Sequence, residues 1–111
     1  MEVKIVDESP FHIISIIGDL DASSAIVLDN AVEQAIGQSK KNILVDCTQL
    51  NYISSPGIGV FTSRLDECEN KQIYLALFGM NDKIRNVFEI LGLDQILTIK
   101  KNKEEAKTYS L

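Results

Sequence analysis

The residues best placed to do chemistry lie in the stretch N-Y-I-S-S-P-G-I-G-V at residues 51–60. Ser54 and Ser55 supply two hydroxyl groups, Pro56 follows them, and two glycines come next at alternate positions. A serine followed by a proline is typical of a helix start, with Ser55 as the N-cap and Pro56 at the first helical position. The free N–H groups of such a helix end also attract anions, so the stretch equally suits a site where a phosphate is attached or held.

A strongly apolar segment precedes this stretch and predicts a strand over residues 42–46. Its centre, I-L-V, shows no polar alternation, which is typical of a strand that is buried on both faces of a partly parallel sheet. The connection from this strand to the next helix spans about 8 residues, whereas such loops usually have roughly 2–6. Open α/β sheets place functional sites at the carboxyl ends of their parallel strands. With both features the residues fit a phosphate-related site as well as they fit a plain helix cap, and they do not decide between the two.

Hydrophobic periodicity predicts the elements that must position this stretch. Strands over residues 3–6 and 11–17 form an antiparallel hairpin. A helix capped by Asp21 ends at Gly37, and a second helix follows Pro56. The later elements are a strand over residues 73–78, a helix from Asn81 or Asp82 to Gly92, a strand over residues 96–99 and a helix over residues 102–109. The order ββαβαβαβα predicts an α/β fold, one domain over residues 1–111 with a mixed four- to five-stranded sheet.

Composition excludes several classes of function. The chain has 111 residues and a net charge of -5, which disfavours nucleic-acid or anionic-membrane partners because both require a basic excess. It opens on no signal sequence and contains no apolar run near the ~18 residues that span a bilayer, so we expect a cytoplasmic protein. Cys47 and Cys68 are expected to be buried, and one histidine, His12, provides no metal site. No catalytic or cofactor motif is present, so we expect no enzyme activity.

Three segments, in order and over nearly the full length, resemble a STAS domain of the anti-sigma-factor antagonist type. The first is G-D-L-D at residues 18–21, similar to that family's G-x-[IL]-D strand ending. The second, residues 43–60, resembles the family's buried strand followed by its D-S-[ST]-G-[LI]-G signature, with Ser54 at the Asp position and Pro56 at the Ser/Thr position. The third, I-R-N-V-F-E-I-L-G-L at residues 84–93, is similar to the family's late helix and its end.

The resemblance implies a regulator that switches between protein partners. In that family, a serine kinase that is also the anti-sigma factor phosphorylates the serine after the signature Asp, and a PP2C-type phosphatase removes the phosphate. The unmodified antagonist binds the kinase and frees the sigma factor. Carried over, Ser55 is the phosphoacceptor, with Ser54 as the alternative, in a monomer without a cofactor. The implied partner-binding residues are Asp21, Ser54, Ser55, Pro56, Gly57, Ile58 and Arg64, next to residues 19–24 and an exposed face with Ser63 and Glu67.

Two other interpretations stay open. A STAS domain that works without phosphorylation, as a scaffold or as a subunit of a sensor or transport assembly, is favoured by the absence of the signature Asp. A small enzyme or nucleotide-binding protein is the other, although the chain has no Walker A, G-x-G-x-x-G or Ser/His/Asp motif.

Overall fold

The structure, a computed structural model that describes residues 1–111, has the element order expected from the sequence. The elements are β1 (Glu2–Glu8), β2 (Phe11–Leu20), α1 (Ala22–Gly37), β3 (Asn42–Ile53), α2 (Ser55–Asn70), β4 (Tyr74–Phe78), α3 (Asp82–Ile90), β5 (Thr98–Lys100) and α4 (Lys103–Ala106). All five strands join one sheet in the spatial order β1-β2-β3-β4-β5. The first pair is antiparallel and the other three are parallel, which confirms the predicted hairpin and mixed sheet.

The centre of the sheet is apolar on both faces because helices cover both. Ile43 and Val45 of β3 face a core shared with α1, α2 and α3. Leu44, between them, faces a smaller cluster that includes Ala106 of α4. Alternate side chains of one strand therefore enter two different cores, and this explains the unbroken I-L-V run from which a doubly buried strand was predicted.

The largest difference from the sequence analysis is the length of β3. The strand was predicted to end at Asp46, but it continues to Ile53. Beyond Asp46 it loses β4 as a neighbour and pairs only with β2, as far as the pair Leu20–Ile53. Only Ser54 separates β3 from α2, so the predicted long loop was wrong and its argument for a functional site no longer applies.

Smaller differences concern the end of the chain. The fifth strand was predicted over residues 96–99 but covers Thr98–Lys100, because Leu97 still donates its backbone N–H to the carbonyl oxygen of Leu93 at 2.8 Å, directly after the short 3-10 helix Leu93–Gln95. The last helix is also shorter than predicted. Asn102 caps it by accepting from the N–H of Glu105.

Candidate functional site

The helices α1 and α2 begin side by side at the carboxyl ends of β2 and β3. Leu20, the last residue of β2, is aligned with Ile53, the last residue of β3. One residue later, the N–H of Ser54 donates to the carbonyl oxygen of Leu20 at 2.9 Å. The two helix starts, each carrying a partial positive charge, therefore share one edge of the sheet.

At the start of α1, Asp21 is the N-cap, as predicted. Its Oδ1 accepts from the backbone N–H groups of Ser23 and Ser24 at 3.1 and 3.0 Å, and from their hydroxyls at 2.8 and 2.9 Å. The Ser24 hydroxyl in turn accepts from the Asp21 N–H at 2.8 Å, which completes a capping box. These hydrogen bonds, led by that from the Ser23 hydroxyl, lower the pKa of Asp21 to about 2.

At the start of α2, the structure corrects the predicted cap. Ser54, not Ser55, is the N-cap: its backbone is extended, and its Oγ accepts from the N–H of Gly57 at 3.4 Å. Ser55 is already the first helical residue, and Pro56 is the second. The shift follows from the longer β3, because Ser54 is the residue that leaves the strand. Ser55 is exposed, and its hydroxyl makes no hydrogen bond within the chain.

Gly57 is buried where α2 crosses the end of β2. A Cβ on this residue would lie 2.7 Å from Cγ of Leu20, closer than real Cβ atoms approach, and 3.2 Å from Cγ1 of Ile53, which is a tight contact. Leu20 is fully buried, so it has little room to retreat. A glycine is therefore required for α2 to start this close to the sheet. Gly59 differs, because a Cβ there would meet nothing within 4 Å.

A shallow groove of about 280 Å³ runs between α1 and α2 next to Ser55. Its lining residues are Ala25, Ile26, Asp29, Pro56, Gly59, Val60 and Ser63. Pro56 links the groove directly to Ser55, and the side chain of Ile26 is 65% exposed beside it. Ile58, predicted to contact a partner, is half-buried and packs against the main core. The site thus combines an exposed hydroxyl with an open groove whose walls carry both apolar and polar side chains.

The sequence analysis placed Arg64 on an exposed face of α2, and the structure shows that this was wrong. Its side chain is 17% exposed and spans the two helices. Nε and one terminal nitrogen donate to the two oxygens of Asp29, on α1, at 2.8 and 2.9 Å. This bidentate contact lowers the pKa of Asp29 and raises that of Arg64. Ser63 is exposed as expected, whereas Glu67 is half-buried.

His12 and Asp46 have hydrogen-bond partners within the chain, and both thiols are buried. His12 is buried, with Nδ1 2.8 Å from Oδ1 of Asp7 on the neighbouring strand. Asp46 accepts from the Ser15 hydroxyl and from the N–H and hydroxyl of Thr48. Cys47 and Cys68 are free and buried, as predicted, and burial raises the pKa of the Cys68 thiol to about 11.

Two further features are absent from the chain. No three side chains of the metal-binding types (His, Cys, Asp, Glu) gather closely enough to hold an ion. No helix has the length and apolar character needed to cross a membrane.

The sequence analysis missed the two residues that hold the site together, Leu20 and Asp29. The sequence analysis quoted Leu20 within the segment G-D-L-D but assigned it no role, although its carbonyl and side chain both contact the start of α2. Asp29 lies 35 residues from Arg64, so no local spacing reveals their ion pair. The available signal for Asp29 was weak: an acidic residue one position after the apolar Leu28 of a predicted helix face.

Comparisons with known proteins agree with this architecture. The family model described as STAS domain matches residues 2–106. An anti-sigma-B factor antagonist from Listeria monocytogenes is 34% identical over 103 residues, which is 90% of this chain and 89% of that protein. A protein of the same name from Staphylococcus aureus is 22% identical over 104 residues, covering 94% of this chain and 96% of the relative.

Solved structures show the same fold. An anti-sigma factor antagonist from Mycobacterium paratuberculosis superposes with a TM-score of 0.89 at 17% identity, covering 96% of this chain and 91% of that one. The Bacillus cell fate determinant SpoIIAA in its phosphorylated form superposes with a TM-score of 0.73 at 22% identity, covering 95% and 96% of the two chains. With a family model matched from residue 2 to residue 106, this chain belongs to the STAS domain family.

Proposed function

We propose that this protein is an anti-sigma-factor antagonist that is switched by phosphorylation of Ser55. The observation that carries the proposal is the Ser55 hydroxyl, exposed and without an intramolecular partner at the first position of α2. The curated relatives named anti-sigma-B factor antagonist support the regulatory role. The protein acts by binding other proteins in the cytoplasm, as a monomer, and catalyses no reaction itself.

The phosphoacceptor is Ser55 and not Ser54 because of what each hydroxyl does. Ser54 is half-buried, and its Oγ accepts the N–H of Gly57. Moving it to a kinase would uncap α2. Ser55 can be reached without any change in the helix. Its Oγ forms the new bond to the γ-phosphorus of ATP, ADP leaves, and the hydroxyl proton passes to a base on the kinase.

Phosphorylation adds a charge of about -1.5 to -2 at the start of α2. The positive end of the helix tolerates this charge, so we expect the fold to survive. The chain provides few further interactions that would stabilise the phosphate. Pro56 has no N–H to donate, and Asp19 and Asp21 are exposed acidic neighbours at the same edge. The dianion therefore stays on the surface, in the middle of the partner-binding patch.

The partner is the anti-sigma factor, which is also the serine kinase, and it docks on the unmodified patch formed by residues 54–58, Asp21 and the groove. Phosphate repels an acidic or tightly packed docking face and must lose its water to enter one, so the complex dissociates. A PP2C-type phosphatase hydrolyses the phosphoserine and restores the binding form. The switch is thus a local change of charge with little refolding.

The test is mass analysis of the intact protein purified from its own cells, with peptide mapping of residues 47–64. We expect one phosphate on Ser55 in a fraction of the molecules. Ser55→Ala should abolish it, whereas the matched variant Ser54→Ala should retain it. Unmodified protein captured from lysate should bring down an ATP-binding kinase that the phosphorylated form does not. Residues 51–60 that stay unmodified in growth, stress and starvation would favour a scaffold that works without phosphorylation.

A further inference from the structure

Arg64 is the centre of a charge cluster that joins α1 to α2. Besides its bidentate contact with Asp29, one terminal nitrogen donates to Oε1 of Glu67 at 2.7 Å, and the other lies 3.5 Å from Oε2 of Glu33. Lys71 adds a second cation, 3.2 Å from the other oxygen of Glu67, but it remains largely exposed. All three guanidinium nitrogens are therefore engaged within the chain.

The cluster is unbalanced without Arg64. Asp29 and Glu33 project from α1 and Glu67 from α2, so three carboxylates surround a single guanidinium. Removing that guanidinium would leave Asp29 and Glu67, whose side chains are 36% and 33% exposed, facing one another across the helix pair, where solvent screens like charges less than at a fully exposed site. Lys71 would still pair with Glu67, and Glu33 is mostly exposed. The expected response is separation of the two helices.

The groove beside Ser55 depends on the same helix pair. Asp29 is both the main partner of Arg64 and part of the groove wall, and Ser63, next to Arg64, lines the opposite wall. At the other end, the contact of Gly57 with Leu20 holds the helix starts together. The groove is therefore bounded by two fixed points, one at the sheet edge and one at the ion pair.

We propose that Arg64 is a positioning residue that holds α1 against α2 so that the groove beside Ser55 keeps the shape its partner binds. The effect on partner binding rests on the proposed function. The contact of Arg64 with Asp29 that holds α1 against α2, called the clamp below, is a property of the free protein. It replaces the direct partner contact first assigned to Arg64. A side chain with all its nitrogens engaged has little to offer a second protein.

The test compares Arg64→Gln, Arg64→Lys and the double variant Arg64→Gln/Asp29→Asn with a matched control, Arg85→Gln. The control removes the same charge from an exposed ion pair within α3, where Arg85 lies 3.8 Å from Glu89. Amide hydrogen exchange of the free protein measures the clamp. Phosphorylation of the intact protein by a fixed amount of an ATP-supplied extract of its own cells is measured against protein concentration and detected in the segment 47–64. It reports docking as KM and the chemical step as a kcat relative to the wild type.

We expect Arg64→Gln to speed exchange in α1 and α2 by about tenfold and to raise KM by about fivefold or more, with kcat within about twofold of the wild type. Arg64→Lys should give exchange rates and a KM between those of the wild type and Arg64→Gln, because an ammonium keeps the charge but cannot make the bidentate contact. In the double variant two neutral amide side chains replace the ion pair by an uncharged hydrogen bond, so exchange and KM should recover most of the way. Arg85→Gln should change neither quantity.

Two outcomes would overturn the inference. One is equal exchange in α1 and α2 for Arg64→Gln and Arg85→Gln, which would mean that no clamp exists. The other is a double variant with normal exchange but a KM as high as that of Arg64→Gln, which would mean that the charges of Arg64 and of Asp29 in the groove wall act on the partner directly and not through the helix pair. If the extract leaves even the wild type unphosphorylated, the proposed function fails, and the exchange measurement still decides whether the clamp is real.

Discussion

The two helices at the candidate site start in very different ways. At α1 the Asp21 carboxylate accepts four hydrogen bonds from Ser23 and Ser24, and a reciprocal bond closes the capping box. At α2 a neutral hydroxyl, that of Ser54, accepts one hydrogen bond at 3.4 Å. The first helix start already holds its own anion, whereas the second has none.

This difference supports the proposal that the start of α2, and not that of α1, is the phosphorylated helix end. Both ends carry the partial positive charge of the helix dipole, and at α1 the Asp21 carboxylate neutralises it. At α2 that charge faces solvent next to the exposed hydroxyl of Ser55. A phosphate on Ser55 would supply to α2 the negative charge that α1 has permanently. The asymmetry is the physical reason why we expect the proposed phosphate on Ser55 to leave the fold intact.

The largest effect is expected from breaking the contact that holds the two starts together. Gly57→Ala places a Cβ 2.7 Å from the buried Leu20. We expect the free energy of unfolding to fall by about 1–3 kcal/mol, as in other overpacked sites. Urea unfolding measures it. The matched variant Gly59→Ala meets no neighbour and should raise stability by roughly 0.5–1 kcal/mol through helix propensity. Equal effects at both positions would contradict the close approach at Gly57.

A smaller effect on stability is expected from removing the Asp21 cap at the start of α1. Asp21→Ala removes the acceptor of the capping box and should lower stability at neutral pH. The pKa of Asp21 is lowered from 3.8 to about 2 in the folded protein. Its contribution is therefore fully present above the ordinary value and is lost as the pH falls toward about 2.

Urea unfolding at a series of pH values checks this sign. The stability difference between wild type and Asp21→Ala should be constant above about pH 5 and should shrink steadily in more acidic solution. Asp21→Asn, which keeps one acceptor oxygen without a charge, should lose less stability than Asp21→Ala. A difference that does not change with pH would show that the carboxylate charge plays no part in the cap.

The smallest effect on stability is expected from giving the start of α2 a charged cap. Ser54→Asp gives this helix a charged cap like that of α1, and should raise the free energy of unfolding by about 0.3–1 kcal/mol at low salt. The lower part of that range is expected because Asp19 and Asp21 are acidic neighbours at the same edge. Salt should weaken the gain, and Ser55→Ala, which removes no hydrogen bond, should be close to neutral. A loss of stability in Ser54→Asp would contradict the view that the positive charge at the start of α2 is not neutralised within the chain.

The sequence predicted the element order well but misjudged where β3 meets α2. The apolar I-L-V run identified the strand, yet the residues after Asp46 show burial at every third position rather than every second. That pattern arises because the pairing of β2 with β3 shifts twice, after Ser15 and after Gly18. Such irregularities break the alternation by which a strand is recognised, so the end of β3 looked like a loop and the cap was assigned one residue late.

By itself the sequence determined the fold class, the Asp21 cap, the doubly buried strand and the serine pair next to a proline, because periodicity and capping depend on neighbours along the chain. Only the tertiary structure decided which serine caps α2 and which is free, because this depends on where β3 stops pairing with β2. It alone also brought Leu20 under Gly57 and Asp29 to Arg64. These contacts join residues that lie more than thirty positions apart, and no local pattern in the chain encodes them.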